Sequence, residues 1–245
     1  MLTGKFKPKI TRVMEILDER KKALLSQIIK QHIHSALPVG SKILAQCKDL
    51  NCSSATIRNE MSQLETEGYI SHPHISAGRL PTAKGYRFYL DNLIGSSELA
   101  LKEQQLLKNF VNTLKGEQLE PMIKSLAKKL AELSQNTIVV GFSPYDFYYT
   151  GIANLFIQPE FNDQACLYNL SLTIDHLDKV MADLFKEVEE VSVRIGAGNP
   201  FSEECSVILT SWHFKNRRGI LGILGPMRMD YQHNLGLINF IKENI

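Results

Sequence analysis

Apolar positions in the first ninety residues recur at helical spacing in three short bursts and then give way to a hairpin pattern. Ala23, Leu24, Ile28 and Ile33 form the stripe of a first helix, and Ser41 can cap a second one carrying Ile43, Leu44 and Cys47. Ile57, Met61 and Leu64 stand at i, i+4 and i+7. At about 100° per residue they share one face and predict a third helix. Ser53 or Ser54 offers its N-cap, and Gly68 can take the positive φ where it stops. Tyr69-Ile70-Ser71 then reads as a strand, Pro73 to Gly78 as a tip, and Arg79-Leu80 as the return.

Past Gly95-Ser96-Ser97 the pattern changes. Leu99, Leu106, Leu107, Phe110, Val111 and Leu114 predict one helix over Glu98 to Lys115; Met122, Leu126, Leu130 and Leu133 predict another after Pro121. Thr137 to Phe142 reads as a buried strand, Ile174 to Val188 as an amphipathic helix, and Val191 to Ile195 as a strand. Ser206 to Phe214 and Gly219 to Leu224 are strands joined by a polar Lys215-Asn216-Arg217-Arg218 turn, and Asp230 can cap a closing helix through Leu237 and Ile241. Helices mixed with a largely antiparallel sheet make an α+β fold.

Three helices and a glycine-tipped basic hairpin have the layout of a winged helix-turn-helix. The outward face of the third helix carries Ala55, Thr56, Asn59, Ser62 and Gln63, with Arg58 on its flank. Asn and Gln can bond an adenine edge twice, Arg a guanine edge, and Ala or the Thr methyl can touch a thymine methyl. The expected DNA contacts are Ser41, Lys42, Ser53, Ser54, Thr56, Arg58, Asn59 and Gln63, joined by His74, Arg79, Lys84 and Arg87 on the wing and its flank. Arg87 has a competing use, an ion pair with Asp91 one turn on. Charge separates this reading from a merely helical core. Residues 1–94 hold 14 Lys+Arg against 8 Asp+Glu, residues 95–245 hold 14 against 18, so the basic excess sits wholly on the segment with the motif.

Long strings in the chain resemble the family of the heat-inducible transcription repressor HrcA. They are Pro38 to Lys42, Ser53 to Met61, Pro73 to Thr82 and Lys84 to Tyr89, then Gly151 to Leu155, Gln158 to Phe161 and Gly222 to Tyr231. The resemblance covers the chain from about Glu19 onward. It implies a GAF-like second domain and a repressor of chaperone operons that binds an inverted-repeat operator as a homodimer, with a chaperonin as a partner that relays heat stress. It also implies departures. Only Ser143 to Thr150 separate the Thr137 strand from Gly151, where the family carries an inserted dimerisation domain, and Gly198 stands where the pattern has an acidic residue. The expected organisation is an extension over 1–18, a winged-helix DNA-binding domain over 19–94, a linker with packing helices over 95–136, and a GAF-like α+β regulatory domain over 137–245.

Composition narrows the alternatives. At 245 residues, 44% hydrophobic and 22% charged, the chain is long enough for two modest cores. No run approaches a membrane span and Met1 to Arg20 has no apolar signal region, so a cytoplasmic protein without membrane contact is expected. Cys47, Cys52, Cys166 and Cys205 lack metal-ligand spacing and read as reduced thiols, Cys47 buried and Cys52 in a turn. Asp146, Glu160, Asp175, His176, His213, Arg228, Asp230 and His233 show no catalytic spacing, and Asp230 reads as a helix cap and Arg228 as an ion-pair partner. Neither a cofactor, a metal nor an enzymatic activity is expected. Two other readings remain: an effector- or partner-responsive regulator with a ligand pocket in its second domain, and an enzyme with a nucleic-acid anchor.

Overall fold

Asp18 starts the first helix by accepting the Lys21 N–H on its carboxylate at 2.8 Å. In the computed structural model, which describes residues 17–73, 77–116, 118–214 and 216–244, that helix is α1 (Glu19–Ser35). It buries Leu24, Leu25, Ile28 and Ile29. A short α2 (Ser41–Leu44) and α3 (Ser54–Thr66) follow, then an antiparallel pair, β1 (Ile70–Ser71) with β2 (Leu80–Pro81), and α4 (Ala83–Asn92). Gly68 has φ 78°, the left-handed conformation that lets the chain leave α3 and enter β1. Two details differ from the sequence reading. Gly40, not Ser41, is the N-cap of α2, and Cys47 is half-buried rather than buried.

The chain divides into two compact units, Met1–Gly95 and Ser96–Ile245. In the second, α5 (Leu101–Thr113) and α6 (Leu119–Ser134) precede β3 (Thr137–Ser143), β4 (Asp146–Thr150), α7 (Ile152–Phe156) and a 3-10 turn at Pro159–Asn162. Then come α8 (Gln164–Asp175), α9 (Leu177–Glu187), β5 (Ser192–Ile195), β6 (Cys205–Phe214), β7 (Arg217–Pro226) and α10 (Tyr231–Asn244). The strands form one antiparallel sheet in the order β4-β3-β7-β6-β5.

Strand alternation gives the sheet two buried faces. Val139, Val207, Leu209, Ile220 and Leu224 pack with Leu155, Phe161, Leu170, Met181 and Leu184 from the α7–α9 layer. The intervening Ile138, Val140, Ile208, Leu221 and Ile223 are buried on the other face, where Lys124 of α6 lies over Phe142 and Tyr231 of α10 bonds Ser206 at 2.5 Å. This double burial explains the uninterrupted apolar runs in β3, β6 and β7.

The expected Ile174–Val188 helix is α9, which begins at Leu177 after a break at His176; neither α8, which ends at Asp175, nor β4 is among the expected elements. The apolar face of α6 is Ile123, Leu126, Ala127, Leu130 and Ala131; Met122 and Leu133 flank it. The expected polar turn is shorter, because Arg217 and Arg218 already belong to β7; Lys215 lies outside the described residues. Asp230 does cap α10, accepting the His233 N–H at 3.0 Å.

Candidate nucleic-acid interface

Ser53 fixes the start of α3: its hydroxyl accepts the Thr56 N–H at 3.2 Å and pairs with the Thr56 hydroxyl at 2.9 Å. Ser41 and Ser54 hydroxyls meet at 3.1 Å and tie the beginning of α2 to that of α3. These four candidates therefore hold the turn between the helices. Ile57, Met61 and Leu64 point into the core, which leaves Ala55, Arg58, Asn59, Ser62, Gln63 and Thr66 exposed along the opposite side. Ser62 and Thr66 turn their hydroxyls back onto the carbonyls of Arg58 (3.1 Å) and Ser62 (2.9 Å). The side chains of Arg58, Asn59 and Gln63 have no partner among the described residues, and Lys42 on α2 is exposed.

The carboxylates of this region are all engaged elsewhere. Glu60 pairs with Arg20 at 2.6 Å, Glu67 with Lys21 at 2.6 Å, and Glu65 with Arg79 at 2.8 Å. The exposed face of α3 thus presents donors and amides with no acidic side chain on it.

Val39 and Arg79 exchange two backbone hydrogen bonds of 2.9 Å, so the Pro38-Val39-Gly40 string lies against the return strand of the hairpin. Gly78 permits this approach, since a Cβ there would stand 2.6 Å from the Val39 carbonyl. Arg79 is not a free cation. Its Nε donates to Glu65 and its Nη1 to the Ala77 carbonyl at 3.3 Å, while His72 bonds the other Glu65 oxygen. Burial raises the Glu65 carboxyl, but the His72 hydrogen bond and the Arg79 charge outweigh it and hold the pKa below the usual value. Lys84 donates to the Glu67 carbonyl at 3.0 Å and lies over the Tyr69 ring at 4.6 Å, and the Arg87 charge acts on Asp91. His74 lies outside the described residues. Arg58, Asn59 and Gln63 on α3 are therefore presented outward, Ser54 and Thr56 are tied into the turn, and Arg79 and Lys84 brace the hairpin.

In the second unit Arg228, Asp230 and His233 each have a structural partner of their own. Arg228, 12% exposed, donates from Nε to Glu160 at 2.6 Å and from Nη2 to Gln158 at 2.6 Å. His233 bonds Glu103 at 2.7 Å, Asp230 caps α10, and Asp146 and His213 are exposed on different strands. Among the described residues no three His, Cys, Asp or Glu side chains cluster to hold a metal. A cavity of about 20 Å³ lies under Tyr149, Ile152, Leu170 and Phe201. It has room for roughly one water, far below the few hundred Å³ of a ligand pocket. Among the described residues no helix is long and apolar enough to cross a membrane.

Residues 87–234 match the family model described as HrcA protein C terminal domain. The chain belongs to the HrcA family. Relatives named heat-inducible transcription repressor HrcA from Acetivibrio thermocellus and Thermoanaerobacter pseudethanolicus are 28% and 27% identical. Each match covers 94% of this chain, and 95% and 96% of those proteins. The first alignment runs over 334 residues, whereas 94% of this 245-residue chain is about 230, so about a hundred positions of that HrcA have no counterpart here. A crystal structure of a hypothetical protein at 2.2 Å resolution shares the fold, with TM-score 0.73, 19% identity, and 93% of this chain and 97% of that one covered.

The HrcA strings are explained by contacts that no local spacing reveals. Glu65 and His72, absent from the expected site, secure Arg79. The Gln158-x-Glu160 string meets Arg228 of the Gly222–Tyr231 string across 68 and 70 residues of sequence.

Proposed function

We propose that this chain is a DNA-binding transcriptional repressor of heat-inducible genes, in which residues 19–94 act as a winged helix and residues 137–245 as a GAF-like regulatory domain. What carries the reading is the outward side of α3: Arg58, Asn59 and Gln63 unpartnered among the described residues, with every neighbouring carboxylate engaged elsewhere. The name shared by the relatives points the same way. In this reading α3 enters the major groove of an operator. Asn59 and Gln63 read base edges, Arg58 reads a guanine, and Thr56 touches the groove wall. Lys42, Ser41, Ser53 and Ser54 approach phosphates at the mouth of the groove, and His74, Arg79, Lys84 and Arg87 follow the backbone along the wing. Two copies bind the two halves of an inverted repeat, a chaperonin supplies the heat signal, and the protein works in the cytoplasm without cofactor, metal or catalysis.

The test is fluorescence anisotropy with duplexes selected by the unaltered protein from a random-sequence library. Recovery of an inverted repeat, bound at least a thousandfold more tightly than scrambled duplex, is expected for a repressor. Equal binding to all duplexes overturns it.

A further inference from the structure

The two ends of the five-stranded sheet are treated differently. At one end, β5 carries Arg194, tied to Glu187 at 2.8 Å, and runs straight into the turn at Gly196–Gly198. A charge and a short edge of this kind prevent pairing with another strand. At the other end, β4 is bonded on one side only, to β3, and its sequence is Asp146-Phe147-Tyr148-Tyr149-Thr150. Its one charge, Asp146, stands at the end of the strand rather than within it, it has no Lys, Arg or Pro, and three aromatic residues in a row favour an extended chain. Tyr149 is 41% exposed and Tyr145, in the preceding turn, 81%.

We propose that β4 is a docking edge for a second copy of this chain, joining two sheets by antiparallel β4–β4 pairing about a two-fold axis at Tyr148. The strand is self-complementary in this register and in no longer one. Tyr148 meets Tyr148 of the second copy, Phe147 meets Tyr149, and Asp146 meets Thr150, so the full strand pairs and the two Asp146 carboxylates stay at opposite ends. The competing apolar helix, α5, has less to offer. Leu107 is fully buried, Leu99 and Leu114 nearly so, and Phe110 and Val111 half-buried, which leaves Leu101 and Leu106. Five strand residues with flanking tyrosines fall short of the roughly 800 Å² per partner of a standard interface, so association in the micromolar range is expected. The proposal holds whether or not the chain binds DNA.

Light scattering and sedimentation of the full chain, from below micromolar to tens of micromolar, test it. A dimer should form that Tyr149→Lys weakens at least tenfold in sedimentation while the variant's far-UV circular dichroism stays native. Under mild oxidation Tyr148→Cys should give a covalent dimer, because directly opposed residues lie about 4.5–5.5 Å apart, within disulfide reach. Thr150→Cys should not, its two copies being about 13 Å apart at four residues' rise. A monomeric unaltered chain, a dimer indifferent to Tyr149→Lys, or one lost only on Leu106→Ser overturns the proposal, as does equal cross-linking at both positions.

Discussion

Replacing Arg79 decides whether that residue is mainly a phosphate contact or mainly a brace for the hairpin. Its Nε lies 2.8 Å from a Glu65 oxygen, and the two side chains are 20% and 23% exposed. An exposed pair contributes about 0.2–1 kcal/mol and a hydrogen bond to a charged group about 1.5–3 kcal/mol. At this intermediate burial a coupling of about 1–2 kcal/mol is expected, with the lower half favoured by solvent screening. For a unit of this size that corresponds to roughly 5–10 °C in the first thermal transition. The assay is a double-mutant cycle of Arg79→Ala and Glu65→Gln followed by denaturant unfolding, with salt-dependent binding measured on the same proteins. Because Glu65 ionises more readily folded than unfolded, its contribution is full above the ordinary glutamate value of about 4.5 and is lost as pH falls through the lower folded pKa. Acid sensitivity in that window should therefore weaken in Glu65→Gln. A coupling below about 0.3 kcal/mol, together with a salt slope reduced by about one for Arg79→Ala, would show the brace to be wrong and the phosphate contact right.

Gly78→Ala forces a Cβ to within 2.6 Å of the Val39 carbonyl, so it should cost about 2 kcal/mol or more and loosen the hairpin; amide exchange at Val39 and Arg79 reads this, and unchanged protection would contradict the close approach. Arg228→Met leaves Glu160 partly buried without its cation and should destabilise the second unit by about 2–4 kcal/mol in chemical denaturation. Both polar atoms of the Asn234 carboxamide are buried without a partner among the described residues, so Asn234→Leu should raise the second unit's stability by about 1 kcal/mol; a loss of that size would mean the amide is satisfied.

The helices of the first unit could be seen in the sequence because each hides a regular stripe and ends at a residue with one local job, as Ser53 and Gly68 do. In the second unit periodicity was a poorer guide. Layers cover both faces of the sheet, α8 carries only a weak stripe with a single buried residue, Leu170, and β4 offers only the short Phe147-Tyr148-Tyr149 run with every residue exposed or half-buried, so neither element stands out in the sequence. The exposure of Asn59 and Gln63 followed directly from the positions of Ile57, Met61 and Leu64. The ties of Arg79 to Glu65 and of Lys84 to the Glu67 carbonyl did not, because they join residues 14 and 17 apart through a turn. Arg228 could be read as an ion-pair partner from its chemistry, but its mate, Glu160, could be found only in three dimensions.

The central claim is that the exposed side of α3 reads base sequence. Asn59→Ala and Gln63→Ala, measured by anisotropy on the selected operator and on scrambled duplex at one salt concentration, test it most directly. Loss of a bidentate base contact should weaken operator binding by about 1–3 kcal/mol and leave scrambled-duplex binding unchanged. Equal weakening on both duplexes, or none on either, would contradict the account.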